Sequence, residues 1–281
     1  MLGHAYIVFV GILFGLANVI PGVSGGTMAV VFGVYERLIN IVANLKTMWK
    51  KELPFLLEFG IGAGIGIVGF GKVMDWVLAH YPVEASCFFI GVILGSIPML
   101  IGLTFKGEGK HAKWQVSFSN ILPMLITFGI MIPMALNNTE AAKVGAVARE
   151  ITGFNLVDEL LFVVYGVIAV TTMIVPGISG SFVMLLLGFY GTIINAVATL
   201  NFLVLVPFAI GCLIGVIFTT KLIKWLLNRF PTQSYSAILG FVFGSILCIF
   251  PGWSNVLNVW PILMIAAGFA MMIACNKLTN K

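Results

Sequence analysis

Apolar and polar positions alternate along this chain in long blocks, with ten apolar stretches separated by short polar segments. A helix that spans a bilayer needs about 20 mostly apolar residues, and most of these stretches approach that length. Five stretches fall in each half. The pattern predicts an all-α polytopic membrane protein with helices near residues 5–20, 27–45, 53–79, 84–104, 117–136, 158–175, 180–200, 203–228, 234–251 and 258–276.

The two halves of the sequence repeat one another. Residues 21–27 read Pro-Gly-Val-Ser-Gly-Gly-Thr, and 155 positions later residues 176–182 read Pro-Gly-Ile-Ser-Gly-Ser-Phe. Internal repeats of this size in an apolar chain are a feature of transporter folds. We therefore predict a single transmembrane domain over residues 1–281, with repeat one at about 5–136 and repeat two at about 158–276.

The repeats are expected to be inverted, because each contains an odd number of spans. In each repeat the first two apolar stretches are short and are separated only by the Pro-Gly-x-Ser-Gly motif. Such a pair is predicted to form a re-entrant hairpin of two half-helices that meet near the middle of the membrane. Two fully spanning helices remain an alternative that gives the same topology.

Composition excludes a soluble globular protein, because 60% of the residues are hydrophobic and only 9% are charged. The net charge of +5 is spread over short loops, without a basic cluster suited to nucleic acid, so no nucleic-acid partner is expected. The four cysteines contain no CxxC pair and the three histidines are scattered, so neither a metal nor a cofactor is expected.

Basic residues orient the chain. With the N-terminus in the cytoplasm, 11 of the 15 lysines and arginines fall on the cytoplasmic side, as the positive-inside rule requires. We predict a bacterial cytoplasmic (inner) membrane protein with both termini, and the loops around Lys50, Lys110 and Arg229, facing the cytoplasm.

The repeated motif combines a helix stop with a helix start. Pro-Gly ends one helix, and the first N–H groups of the next helix lack intrahelical partners and carry partial positive charge. Two such helix starts, brought together by inversion, would suit a phosphate-like group near the midplane, while a single copy would more often serve only to break a helix. The candidate substrate-binding residues are Ser24, Gly25, Gly26, Thr27, Ser179, Gly180 and Ser181.

Glu36 and Arg37 are adjacent charges inside an apolar stretch, and intramembrane charges usually face a functional site or each other. Arg37 is a candidate substrate-binding residue because it could neutralise a phosphate. Glu36 is a candidate carrier of a coupling proton. The alternatives are an ion pair between the two residues or a short turn near the surface. Their repeat mates are Gly191 and Thr192, so any site is asymmetric.

Glycines recur four residues apart in four of the predicted helices. This spacing is typical of helices whose backbones pack closely in a membrane. A nucleotide-binding glycine loop is disfavoured because no strand precedes the glycines. The pairs are Gly62 and Gly66, Gly91 and Gly95, Gly211 and Gly215, and Gly240 and Gly244.

The run Asn-Val-Ile-Pro-Gly-Val-Ser-Gly-Gly-Thr at residues 18–27, followed by Gly-Val-Tyr-Glu at 33–36, resembles the bacterial polyprenyl-phosphate (undecaprenyl-phosphate) transporter family. The resemblance covers nearly the whole chain. It implies a multi-pass transporter that returns undecaprenyl phosphate from the outer to the inner leaflet for cell-envelope glycan synthesis. The expected partners are the polyprenyl phosphate lipid and the bilayer, and uphill transport would also need a coupling ion, a proton or sodium.

Two other functions stay open from the residues alone. One is an ion-coupled transporter or channel for a small soluble anion, which the same site would serve. The other is an intramembrane enzyme similar to undecaprenyl-diphosphate phosphatases. Those enzymes carry arginine just after the motif serine, where this chain has Gly25 and Gly180, and no histidine lies near either motif copy. Enzyme activity is therefore disfavoured.

Overall fold

The regular structure of this protein is helical throughout the described residues. A computed structural model describes residues 3–19, 24–69, 73, 76–77, 80–105, 117–136, 156–178, 180, 183–184 and 187–279. Within these ranges the chain forms helices and contains no strand. The all-α class predicted from hydropathy is confirmed.

The helices of the first half are α1 (His4–Val19), α2 (Gly25–Val31), α3 (Tyr35–Ala43), α4 (Leu45–Gly64), α5 (Pro82–Phe105) and α6 (Phe118–Leu136). A π-helical segment, Ile65–Gly69, continues α4. The helices of the second half are α7 (Leu156–Ile174), α8 (Tyr190–Thr199), α9 (Phe202–Arg229), α10 (Pro231–Ile249), the single turn α11 (Trp253–Val256) and α12 (Val259–Thr279).

Six of the described helices are long and apolar enough to cross a membrane: α4 with its π-helical extension, α5, α6, α7, α9 and α10. The pair α2 and α3 passes the same test only when taken together, and the two helices meet at 114°. A helix pair bent this sharply is either a broken span or a re-entrant loop. The chain is therefore a multi-pass membrane protein.

Two predicted boundaries were wrong. The stretch 27–45 is two helices, because Gly33 adopts φ +70° and turns the chain between α2 and α3. The third helix begins at Leu45 rather than near residue 53, so Lys50 lies in a helix and not in a loop. Lysine and glutamate are good helix formers, and Lys46, Lys50 and Lys51 are exposed on α4.

Corresponding helices occur in both halves. Tyr35 and Tyr190 each start a helix, and so do Pro82 and Pro231. Gly188, the counterpart of Gly33, also has a positive φ, of +76°. The repeat is thus visible in helix bounds and in a turn as well as in sequence, and inversion across the membrane remains a prediction.

Helix pairing is reciprocal between the halves. Within each half, the first helix packs along a later one, α1 on α4 and α7 on α9. Between the halves, α5 packs along α12 and α10 packs along α6. Helices α5, α6, α10 and α12 thus each pack along a helix of the other half.

Close backbone approach at the paired glycines confirms their predicted packing role. A Cβ on Gly62 would lie 2.2 Å from the Val8 carbonyl oxygen, and one on Gly211 would lie 2.0 Å from the Val163 carbonyl oxygen. On Gly91 it would lie 2.1 Å from the Ile265 carbonyl oxygen. The remaining members, Gly66, Gly95, Gly215, Gly240 and Gly244, all face a neighbouring helix at 3.0 Å or less.

Candidate functional site

The two copies of the repeated motif touch each other. The backbone N–H of Gly177 donates a hydrogen bond to the Thr27 hydroxyl oxygen over 2.6 Å, and both residues are buried. A Cβ on Gly26 would lie 3.2 Å from the Ile174 carbonyl oxygen and 3.3 Å from the Pro176 Cα. We call this contact, formed by Gly26 and Thr27 with residues 173–177, the motif junction.

The motif glycines provide room for protein atoms. The space beside Gly25 is taken by the side-chain amide of Asn18, and the space beside Gly180 is taken by the Met173 side chain. Helix α2 is buried along its whole length. In this arrangement Gly26 lets the two motif copies approach each other, and a larger side chain at Gly25 or Gly180 would displace a neighbouring side chain of the same half.

Ser24 stands immediately before α2 in an extended conformation and is 5% exposed. Its hydroxyl makes no capping hydrogen bond to the helix, so it is not used to satisfy the N–H groups at the start of α2. Ser179 and Ser181, the candidates in the second motif copy, lie outside the described residues.

A large polar cavity lies on the other side of α3. Its volume is about 1230 Å³, larger than the roughly 300–1,000 Å³ of typical small-molecule sites. Helix α3 contributes Glu36, Arg37, Ile39 and Asn40, and the bend before it contributes Gly33. The rest of the wall comes from the end of α5 and from the corner between α9 and α10: Gly102, Leu103, Lys224, Leu227, Asn228, Pro231, Thr232 and Tyr235.

Tyr35 joins the cavity to the motif junction. Its hydroxyl donates a hydrogen bond to the Ile174 carbonyl oxygen over 3.2 Å, and the side chain is 6% exposed. The next residue, Glu36, lines the cavity. Helix α3 therefore has one face against the junction and one face towards the cavity. A movement of the junction would shift the α3 residues that line the cavity.

Arg37 is held by a carboxylate from α4. Its Nε and Nη2 donate to Glu52 Oε2 over 2.8 and 2.7 Å, and the guanidinium lies 4.0 Å from the centre of the Phe55 ring. The alternative of an ion pair between Glu36 and Arg37 is therefore wrong. Among the described residues no cation pairs with Glu36, which faces the cavity.

The predicted site residues thus fall into two neighbouring groups. Thr27 and Gly26 meet the second motif copy at the junction, whereas Glu36 and Arg37 lie at the cavity. The rest of helix α2 and the turn at Gly33 lie between the two groups in the chain. No described contact joins Ser24 to the cavity.

Sequence reasoning missed the contribution of the α9–α10 corner. The sequence pattern indicates only a basic residue near a helix end at Lys224, and it predicts no role for Asn228, Thr232 or Tyr235. The one available signal was the density of polar residues at 224–235 between two long apolar stretches. It does not reveal that this corner faces α3, about 190 residues away in sequence.

A second, more apolar cavity lies at the opposite end of α5. It measures about 630 Å³ and is lined by Val77, Tyr81, Glu84, Ala85, Phe88, Phe89, Trp260 and Met264. Phe89 and Gly102 are separated along α5 by about 20 Å. Buried residues of α5, including Val92, Ile93 and Ser96, lie between the two cavities.

Comparison with known proteins gives a consistent result. A polyprenyl-phosphate transporter of Vibrio cholerae serotype O1 is 28% identical over 263 residues, covering 88% of this chain and 78% of the relative. A polyprenyl-phosphate transporter of Staphylococcus aureus is 28% identical over 281 residues, covering 96% of this chain and 95% of the relative. No significant match was found among solved structures.

The family model described as undecaprenyl phosphate translocase-like (VCA0040-like) matches residues 14–262. That range includes the first motif copy, the second copy and every residue of the large cavity. The chain therefore belongs to the undecaprenyl phosphate translocase-like family and is a transporter rather than an enzyme.

Proposed function

We propose that this protein returns undecaprenyl phosphate from the outer to the inner leaflet of the bacterial cytoplasmic membrane, where the lipid re-enters cell-envelope glycan synthesis. The observation that carries the proposal is the large cavity. It combines cations, hydroxyl and amide groups inside a mostly apolar helical protein, and its volume accommodates a phosphate headgroup with the first part of a lipid chain.

The proposed mechanism is alternating access. The large polar cavity at one end of α5 is one opening, and the apolar, aromatic cavity at the other end is the second. The motif junction lies where α2 meets the end of α7. Its contacts change as one opening closes and the other forms. With both termini in the cytoplasm, the large cavity opens to the cytoplasmic side, where the headgroup is released.

The proposed roles of the individual residues follow from this mechanism. Arg37 binds the phosphate by leaving Glu52, since a guanidinium forms strong charge-assisted hydrogen bonds with either group. Ser24, with Ser179 and Ser181 in the second copy, donates to the headgroup when the junction opens. Glu36 carries the coupling proton, because it faces the cavity and has no cationic partner among the described residues.

Transport in liposomes tests the proposal. Polyprenyl phosphate is placed in one leaflet, and the fraction of headgroups accessible to an impermeant reagent is followed over time. Wild-type protein should make the headgroups exchange between leaflets. Arg37→Ala should lose most of this activity, because a sheltered charge-assisted hydrogen bond contributes about 1.5–3 kcal/mol.

The matched control is Arg229→Ala, which removes an exposed arginine at the end of α9 that does not line the cavity. It should transport like the wild type. A wild-type protein that exchanges no lipid headgroups but takes up inorganic phosphate would replace the proposal with transport of a small soluble anion.

A further inference from the structure

The large cavity has a cation on each side, and the two are in different states. Arg37 is bound by Glu52 and stacked on Phe55. Lys224, on α9, is partly buried, and no carboxylate pairs with it in the part of the chain that the structure describes. Among the described cations that line the cavity, the one without a carboxylate partner is therefore Lys224, in the second half of the protein, and not Arg37 on α3.

Hydrogen-bond donors line the same cavity as Lys224. Asn228 lies one helical turn further along α9, and Thr232 and Tyr235 follow after the corner into α10. All three line the same cavity wall. An ammonium, an amide and two hydroxyls together form a donor set from which a phosphate monoester accepts hydrogen bonds.

The charges around the cavity explain why an anion would bind first at the wall that contains Lys224. On α3, Glu36 is exposed to the cavity and repels an anion, while the charge of Arg37 is offset by Glu52. On the opposite wall Lys224 has no such offset. Taking a phosphate at Arg37 requires that an existing ion pair be broken, whereas taking it at Lys224 does not.

We propose that Lys224, with Tyr235 and Thr232, forms the primary binding site for the phosphate monoester in this cavity, and that Arg37 binds the same group second, after release from Glu52. The proposal rests on the proposed function, since it names the binding residues for that substrate. The second repeat lacks counterparts of Glu36 and Arg37. In this proposal Lys224 is the charged group that the second repeat contributes to the site.

A competing explanation for Lys224 is that it anchors the end of α9 at the membrane surface, as lysines near helix ends commonly do. Lys221 provides the control, because it lies one turn earlier on the same helix, is exposed, and does not line the cavity. An anchoring role would be shared by the two lysines, whereas a binding role belongs to Lys224 alone.

The experiment measures binding of undecaprenyl phosphate, undecaprenol and inorganic phosphate to the purified full-length protein in nanodiscs. Lys224→Gln should weaken undecaprenyl phosphate binding by about 10- to 150-fold, the equivalent of one charge-assisted hydrogen bond. Lys221→Gln should change it less than twofold, and Lys224→Arg should retain most of the binding. Undecaprenol binding should be the same in all variants.

Tyr235→Phe removes only a hydroxyl, so it tests the site without altering charge, and it should weaken undecaprenyl phosphate binding by about 2- to 10-fold. Equal effects of Lys224→Gln and Lys221→Gln, together with an unaffected Tyr235→Phe protein, would overturn the proposal while the proposed function stands. If inorganic phosphate bound as tightly as undecaprenyl phosphate, the site would not select a lipid phosphate, and the proposal that its ligand is the lipid would be wrong. A wild-type protein that binds none of the three would overturn the proposed function as well.

Discussion

Two glycines of α4 should respond in opposite directions to the same substitution. A Cβ on Gly62 would lie 2.2 Å from the backbone carbonyl oxygen of Val8 in α1, far inside the 3.4–4 Å of ordinary contact. Gly60, two residues earlier, is exposed and has no neighbouring atom within 4 Å of its Cβ position. Alanine at either position adds one methyl group. The difference in stability between the two variants therefore measures the effect of the close approach of α1.

The size of the stability change follows from the contact between the Gly62 position and the Val8 carbonyl oxygen. Overpacking costs about 1–3 kcal/mol, and the upper part of that range applies because the opposing atom belongs to the backbone and cannot turn away. Replacing glycine in a helix by alanine gains about 0.5–1 kcal/mol. Gly62→Ala should therefore lose about 1–2.5 kcal/mol of stability, and Gly60→Ala should be unchanged or gain up to about 1 kcal/mol.

Reversible unfolding in detergent micelles, followed by helix content and by tryptophan fluorescence, measures both variants against the wild type. The expected result is opposite signs, or at least a separation of about 2 kcal/mol between the two alanine variants. Equal changes of the same sign at both positions would refute the close packing of α1 on α4. The reciprocal pairing of helices in the two halves would then lose one of its close backbone contacts.

Three further predictions concern the junction, the coupling and the topology. Thr27→Val should leave the buried Gly177 N–H without a partner, costing about 1–3 kcal/mol and speeding amide exchange at Gly177, whereas Thr27→Ser keeps the hydroxyl and the protection. Glu36→Gln should preserve exchange of lipid between leaflets in liposomes but abolish its response to a pH gradient; an unchanged response would remove Glu36 from the mechanism. Single cysteines at Lys110 and Lys143, in a cysteine-free protein, should label from opposite sides of the membrane, and labelling of both by an impermeant reagent in intact cells would contradict the predicted topology.

Local sequence patterns determined the class of this protein, its helices and its repeat. Apolar stretches in lipid must satisfy their own backbone hydrogen bonds, so hydropathy alone predicts helices in a membrane. The glycine pairs were predictive for a related reason, since the absence of a side chain matters mainly where another backbone comes close, as at Gly91 and Gly211. The residues that carry the family resemblance also lie close together in sequence, at 18–27 and 33–36.

The tertiary structure decided which polar groups meet. Thr27 and Gly177 are 150 residues apart, and no pattern within either motif copy specifies that one accepts a hydrogen bond from the other. The structure likewise pairs Arg37 with Glu52 instead of its neighbour Glu36, and it places Lys224 in the same cavity. Ion pairs and cavities depend on distances across packed helices, and hydropathy carries no record of those distances because many arrangements bury the same apolar surface.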